Sequence, residues 1–329
     1  MSDRFNKAKQ RYLPICESVL LGLESEAKIT DFIIIKGMGN QTISSERPFN
    51  VYHIKHKKTQ VEYAVKAFAK RFIQYNEESP FFKKGIEVIY NIHHPNIIKT
   101  FGHFEDNNYC YFITEFFNKG NVYNLPKDKK KRISEQNCAS IIKDVICGVY
   151  FLHNMKPPII HGNIAPENVL LSEGLVAKIN DYAWNSYSQN VKKINYKCWT
   201  PIYFPPEILK GQEYNEALDI WCIGVLLFEL LTSEVPFKGN DIDTVKNNIF
   251  KVKISWPKDI NIDAKDLIEK ILKKNPKERI SLEDMIKHPF ITKYFPDAEK
   301  NLIKPEEGVK YKPFVICKDD PKTWKLEKI

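Results

Sequence analysis

Two polar runs and a pair of glycines carry most of the chemically capable residues. The turn Gly37-Met38-Gly39 lies between β-rich runs, and small residues there let a backbone approach a phosphate closely. The loop 161–170, HGNIAPENVL, gathers a histidine, two asparagines and a glutamate, and Asp181 follows it. Within that loop Asn163 cannot act as a base, because an amide nitrogen donates and its oxygen is very weakly basic. Lysine and arginine exceed aspartate and glutamate by 50 − 41 = 9. The densest basic run, Lys127 to Arg132, reads as a solvated loop before it reads as a site for an acidic partner. The seven cysteines, scattered from Cys16 to Cys317, include no C-x-x-C pair, which argues for a reducing compartment and against a disulfide framework or a zinc site.

These residues must be positioned by elements whose pattern changes along the chain. Residues 7–28 read as one helix with a sticky face of Tyr12, Ile15, Val19, Leu20 and Leu23, weakened in its first turn by Pro14. Runs 32–36, 49–55, 62–68, 97–104 and 109–116 read as strands, with a helix over 83–92 among them. After Gly120 the period becomes helical. Ser134 can cap a helix that carries Cys138, Ile141, Ile142, Val145, Val149 and Leu152 on one face. The run 220–231 is apolar nearly all round, as a buried central helix would be, and 263–273 and 281–287 are amphipathic. The expected fold class is α+β, a small β-rich lobe (30–116) followed by a larger helical lobe (117–292). An N-terminal helical extension (1–29) precedes them. A polar tail (293–329) follows, either loose or an extended arm anchored by Tyr311, Phe314 and Trp324. The start of the chain lacks an apolar signal core, and the run 220–231 is too short for a membrane span and contains Glu229.

In order and spacing these runs resemble the eukaryotic Ser/Thr protein kinases over about residues 30–292. The resemblance rests on Ala64-Val65-Lys66, His94-Pro95-Asn96-Ile97-Ile98, Thr114-Glu115-Phe116, the loop 161–170, Asp181-Tyr182-Ala183, Pro205-Pro206-Glu207, the trio Asp219, Trp221 and Gly224, and Arg279. Within the kinases it is similar to the Aurora group, through Ile98 to Phe104, Gly120-Asn121-Val122-Tyr123, Trp184, Cys198 and Phe204-Pro205-Pro206-Glu207. The resemblance implies a bilobal kinase-like fold in which Lys66 reaches the α/β-phosphates of ATP, beneath a lid that begins at Gly37 and Gly39. It further implies that Thr114 is the gatekeeper before a hinge at Glu115 and Phe116, that Val51, Ala64 and Leu170 could sandwich the adenine, and that Asn168 and Asp181 could hold magnesium. Arg279 would pair with Glu207.

Set against that pattern, the chain departs at the positions that perform the reaction. Where kinases have His-Arg-Asp, this chain has His161, Gly162 and Asn163, so the base and the arginine that receives an activating phosphate are both missing. Ala165 replaces the lysine that steadies the γ-phosphate. Counting back nine residues from His94, the glutamate that pairs with the strand lysine falls on Gly85, and Glu87 points elsewhere on the helix. Phe49 stands where the third glycine of the phosphate loop belongs, and fourteen residues separate Gly37 from Val51 (51 − 37 = 14), about twice the usual step. Tyr196 and Trp199 alter the activation segment as well. By contrast Glu207, Asp219 and Arg279, which hold the helical lobe together, are kept.

The expectation is therefore a pseudokinase, a catalytically inactive scaffold or allosteric binding module. The alternative is a weakly active or unconventional ATP-dependent Ser/Thr kinase that uses Lys66, Asn168 and Asp181. No cofactor is required. ATP and magnesium could still bind, or Lys66 and Asp181 could simply pair with each other. Protein partners are expected, and the Aurora resemblance implies a cytoskeletal or microtubule-associated assembly and a cytoplasmic or cytoskeletal location. No membrane role and no specific nucleic acid are expected.

Overall fold

β-branched and aromatic residues alternate in the first third of the chain, and alternation of this kind builds a sheet with two different faces. The structure, a computed structural model, describes residues 31–38, 49–70, 89, 92–105, 108–125, 133–181, 201–306 and 314–315. It divides into two compact units, residues 1–116 with 310–329 and residues 117–309. The first unit carries β1 (Phe32–Met38), β2 (Phe49–His56), β3 (Glu62–Ala69), β4 (Thr100–Glu105) and β5 (Tyr109–Glu115), antiparallel in the order β1-β2-β3-β5-β4. One face buries Phe32, Ile54, Tyr63, Val65, Ala67, Tyr111 and Ile113 as a continuous core. Tyr63 sets its ring edge-on between Phe32 and Phe101, the offset arrangement that aromatic quadrupoles favour. The opposite face carries Lys66 and its neighbours.

One strand boundary and one strand's regularity differ from the sequence reading for local reasons. The strand expected over 97–104 begins only at Thr100, because His94 to Ile97 form a turn in which Ile97 N–H donates to the His94 carbonyl at 3.2 Å and Asn96 N–H to His94 Nδ1 at 3.1 Å. In β1, the register shifts between Ile34 and Lys36, a bulge that breaks the alternation there.

In the second unit, α1 (Glu135–His153) starts where Ser134 Oγ accepts the Asn137 N–H at 3.2 Å. That bond satisfies one orphan donor of the first turn. Every apolar position expected on its inner face is buried. A short hairpin, β6 (Val169–Leu171) with β7 (Ala177–Ile179), follows the loop at 161–168. After the single turn α2 (Pro206–Leu209) comes α3 (Ala217–Thr232), buried along nearly its whole length. α3 ends at Ser233, a left-handed residue with φ 58° whose N–H donates to the Glu229 carbonyl at 2.7 Å. Gly224 lets α3 approach its neighbour: a Cβ there would meet Ile271 Cγ2 at 2.5 Å and Leu272 Cδ2 at 2.9 Å. α4 (Ile242–Phe250), α5 (Ile262–Ile271), α6 (Leu282–Ile286) and α7 (Pro289–Thr292) follow in the second unit. Sequence reading passed over α4, although Asp241 caps it by accepting the Thr244 N–H at 2.7 Å. Finally β8 (Phe314–Val315) adds a short parallel rung to β4, so this part of the tail lies against the first unit's sheet edge. No helix among the described residues is long and apolar enough to cross a membrane.

Candidate functional site

Residues directly opposite one another in a sheet share a face. Phe49 lies opposite Phe68, Val51 opposite Lys66, and His53 opposite Ala64; on the other side of β3, Lys66 lies opposite Phe112 and Ala64 opposite Thr114. Val51, Ala64, Lys66 and Thr114, all expected to touch a nucleotide, therefore stand on one face of the first unit. Lys66 is buried, and its ammonium lies 3.6 Å from the centroid of the Phe49 ring and 5.2 Å from that of Phe68. The two rings are 5.1 Å apart, and Phe68 in turn meets Phe112 edge-on at 5.8 Å. The quadrupole of an aromatic face attracts a cation, by about 2 kcal/mol when the pair is desolvated. Phe49 thus lies on the lysine itself.

At the far end of this face, Phe116 stacks on His53 with ring centroids 3.7 Å apart and planes within 6°. His53 Nε2 is 3.0 Å from Glu62. Sequence reading named Phe116 and missed His53; the alternation that puts His53 opposite Ala64 was the available signal. Glu115 is tied to the sheet through its N–H to the Lys99 carbonyl at 3.1 Å, while its carboxylate accepts the Lys99 N–H at 3.2 Å. The Thr114 hydroxyl makes only long contacts, 3.5 Å to the Ala64 carbonyl and 3.4 Å to that of Glu115. Gly37 is exposed on β1, opposite Tyr52.

The second unit holds the loop at 161–168 by its backbone. Asp219, fully buried near the start of α3, accepts the His161 N–H at 2.8 Å and the Gly162 N–H at 2.7 Å, with His153 Nε2 at 2.7 Å. This accounts for a charge in an apolar helix: the carboxylate is worth burying only because donors surround it. Gly162 has φ 69°, a left-handed conformation that glycine adopts without the Cβ penalty of other residues. His161 Nδ1 accepts the Asn163 N–H at 3.1 Å, which requires an unprotonated Nδ1. Burial pushes the His161 pKa down, against the opposing pull of Asp219 and Asp181.

Further along, Asn168 Nδ2 donates to the Asn163 carbonyl at 3.0 Å, Asn168 N–H to the Ala165 carbonyl at 2.9 Å, and Asn180 N–H to the Asn168 carbonyl at 2.8 Å. This chain of bonds ties Asn163, Ala165 and Asn168 to the residue before Asp181. Asp181 is itself left-handed, φ 66°, a region where aspartate is tolerated better than most residues. With Nδ2 engaged, Asn168 presents its amide oxygen as the acceptor, and an amide oxygen with a carboxylate is a donor set suited to a hard cation such as magnesium. Among the described residues no cluster of three or more His, Cys, Asp or Glu could hold a metal without outside ligands. Leu170 lies in β6 and bridges to Asn121. Two of the described thiols are held protonated: burial pushes Cys138 and Cys147 up to about 12.

Behind the loop, the Arg279 guanidinium forms a two-pronged pair with Glu207, both bonds 2.7 Å, and also donates to the carbonyls of Ala217 at 2.8 Å and Lys273 at 3.0 Å. It lies 5.0 Å from the Trp221 ring. The pairing implied by the resemblance is present, in the bidentate geometry that makes arginine and not lysine the suitable residue. Gly39, Gly85, Tyr182, Ala183, Trp184, Tyr196, Cys198 and Trp199, together with the helix expected over 7–28, the basic run 127–132 and all but Ile89 and Ile92 of the helix expected over 83–92, fall outside the described residues. A cavity of about 540 Å³ lined by Thr232, Glu234, Lys238, Ser255, Trp256 and Lys258 shares no residue with this loop.

Comparison with known proteins matches residues 49–291 to the protein kinase domain. An Aurora kinase of Dictyostelium discoideum is 32% identical over 268 residues, covering 81% of this chain and 67% of that protein. Aurora kinase B of Mus musculus is 32% identical over 242 residues, 74% of this chain and 69% of that protein. The serine/threonine-protein kinase PLK4 of Drosophila grimshawi is 33% identical over 245 residues, 74% of this chain but 32% of its own length.

Proposed function

This chain belongs to the protein kinase family, with Aurora kinases among its relatives, and from that premise we propose that it is a pseudokinase, a scaffold or allosteric module that works through protein contacts and does not transfer phosphate. One observation carries the reading. The loop that should present a carboxylate to the substrate hydroxyl is held in place by Asp219, yet presents Asn163, with Ala165 where a cation should follow. A positioned base contributes roughly 10²- to 10⁴-fold, and a missing electrostatic partner lowers the rate further. From a typical kinase rate of about 1–100 s⁻¹, little turnover would remain. We include in the proposal a protein partner within a cytoskeletal or microtubule-associated assembly, on the strength of the Aurora likeness alone.

The residues that would touch nucleotide and metal, Lys66, Asn168 and Asp181, favour a second reading, a slow or unconventional ATP-dependent kinase. Transfer of radiolabelled phosphate to a generic basic substrate separates the two. The expected result is transfer by the natural chain no greater than by Lys66→Ala. Lys66-dependent turnover near about 1 s⁻¹, an ordinary kinase rate, would overturn the pseudokinase reading.

A further inference from the structure

The lysine of β3 is kept in a chain that has lost much of what a phosphate-binding lysine works with. Its surroundings show what it does instead. Lys66 is one of the few buried lysines of the described residues, and its ammonium rests on the face of Phe49, 3.6 Å from the ring centroid, with Phe68 as a second wall at 5.2 Å. Strand register makes this arrangement intrinsic to the sheet. Phe49 and Phe68 are directly opposed, one pair along from Val51 and Lys66, so all four side chains stand on the same face. A phosphate oxygen would have to come within about 2.7–2.9 Å of the ammonium to form a charge-assisted bond. A phenyl ring already in van der Waals contact with one side of that nitrogen stands in the way of such an approach. A glycine at position 49 would leave that side open.

We propose that Phe49 sequesters Lys66, so that this face of the sheet gains little or nothing from the phosphates of a nucleotide, and that the preferred small ligand, where one binds, is a nucleoside-like ring system without phosphates. The inference deepens the pseudokinase reading and rests on it for the role of Lys66; binding is measured here and transfer is not, so the two can fail separately. Val51, Ala64 and Thr114 remain on the same face beyond the aromatic pair and offer a surface for a flat heterocycle. The loss would thus be selective: the ring-binding part of the face persists while the phosphate-binding part is covered by the protein's own side chain.

The test uses the full chain and titrates adenosine and ATP, with and without magnesium, by calorimetry. For the natural chain we expect ATP to bind no more than about threefold tighter than adenosine, less than half of the 1.4 kcal/mol that a tenfold change represents. For Phe49→Ala we expect the ATP preference to rise about tenfold or more, and to vanish again in Phe49→Ala with Lys66→Ala. Competitive acylation of amines, read by mass spectrometry, gives a ligand-free measure: Lys66 should label severalfold faster in Phe49→Ala, relative to the exposed lysines of the same protein. Phe49→Leu keeps the apolar bulk of position 49 and guards against a folding defect in the alanine variant; it should also raise Lys66 labelling, because the aromatic face is gone. Three results would overturn the proposal: a natural chain that prefers ATP over adenosine by more than tenfold through Lys66, an ATP affinity that Phe49→Ala leaves unchanged or weakens, or Lys66 labelling unaffected by both substitutions. Weakened ATP binding in Phe49→Ala would mean that the ring orders the lysine for phosphate instead of covering it.

Discussion

The two units treat their motif residues in opposite ways. In the first, the chemically capable residue is kept and its access altered: Lys66 is in place on β3, but Phe49 lies on its ammonium. In the second, on the reading proposed above, the framework is kept and the chemistry removed. Asp219 still grips the backbone of His161 and Gly162, and Arg279 still clamps Glu207, while Asn163 and Ala165 present neither base nor cation. On that proposal, architecture and reaction are separable in this fold. Bonds that set loop conformation run through main chain and buried ion pairs, so side chains at the reacting positions can change at little cost to the fold.

If that separation is right, stability should fall most at the buried framework and least at the reacting positions. The largest effect is expected for Arg279→Ala. It strands the buried Glu207 carboxylate without its partner and should lower stability by about 3–5 kcal/mol in equilibrium urea unfolding. Gly162→Ala should cost about 1–2 kcal/mol by the same measurement, because a Cβ is placed in the left-handed region. That position therefore has a conformational reason to be glycine.

A smaller, pH-dependent effect should come from His161. Burial holds its pKa below the ordinary 6.5. As pH falls through 6.5, the unfolded chain takes up a proton that the folded chain resists, and stability declines until the folded pKa is reached. Its contribution is thus complete above that window and lost within it. Comparing denaturation midpoints of the natural chain and His161→Gln from about pH 7.5 to 5.5 should show the steeper acid loss in the natural chain. The smallest effect is expected for Asn163→Asp, a half-buried residue whose main chain bonds to His161 and Asn168. Its stability should stay within about 0.5 kcal/mol of the natural chain. Paired with Ala165→Lys it should still leave phosphate transfer far below about 1 s⁻¹, since the first unit is unrepaired. A restored ordinary rate would show that the loop alone had been limiting.

Much of the fold was legible because it follows from period and punctuation. The alternation of β2, β3 and β5 and the inner face of α1 announce themselves in single segments, since burial on one face imposes a spacing on the chain itself. α4 was passed over because only Val245 and Ile249 are buried on it, too sparse a stripe to reveal a nine-residue helix. The β6–β7 hairpin was passed over because three-residue strands carry no measurable alternation. In the site, an amide at Asn163 and a methyl at Ala165 could be read residue by residue. The covering of Lys66 could not: Phe49 is seventeen residues away (66 − 49 = 17), and only the antiparallel register puts the two side by side.

Sequence alone therefore determined the family, the α+β class and which residue types stand in the loop at 161–168, because each depends on residue identity at a spacing along the chain. Tertiary structure decided what the surviving groups do. It set Phe49 on Lys66, stacked His53 on Phe116, and made Asp219 the anchor of a loop about sixty residues before it (219 − 161 = 58). Those outcomes depend on strand register and on helices packing closely enough to bury a charge among its donors, and neither is a property of any one stretch of chain.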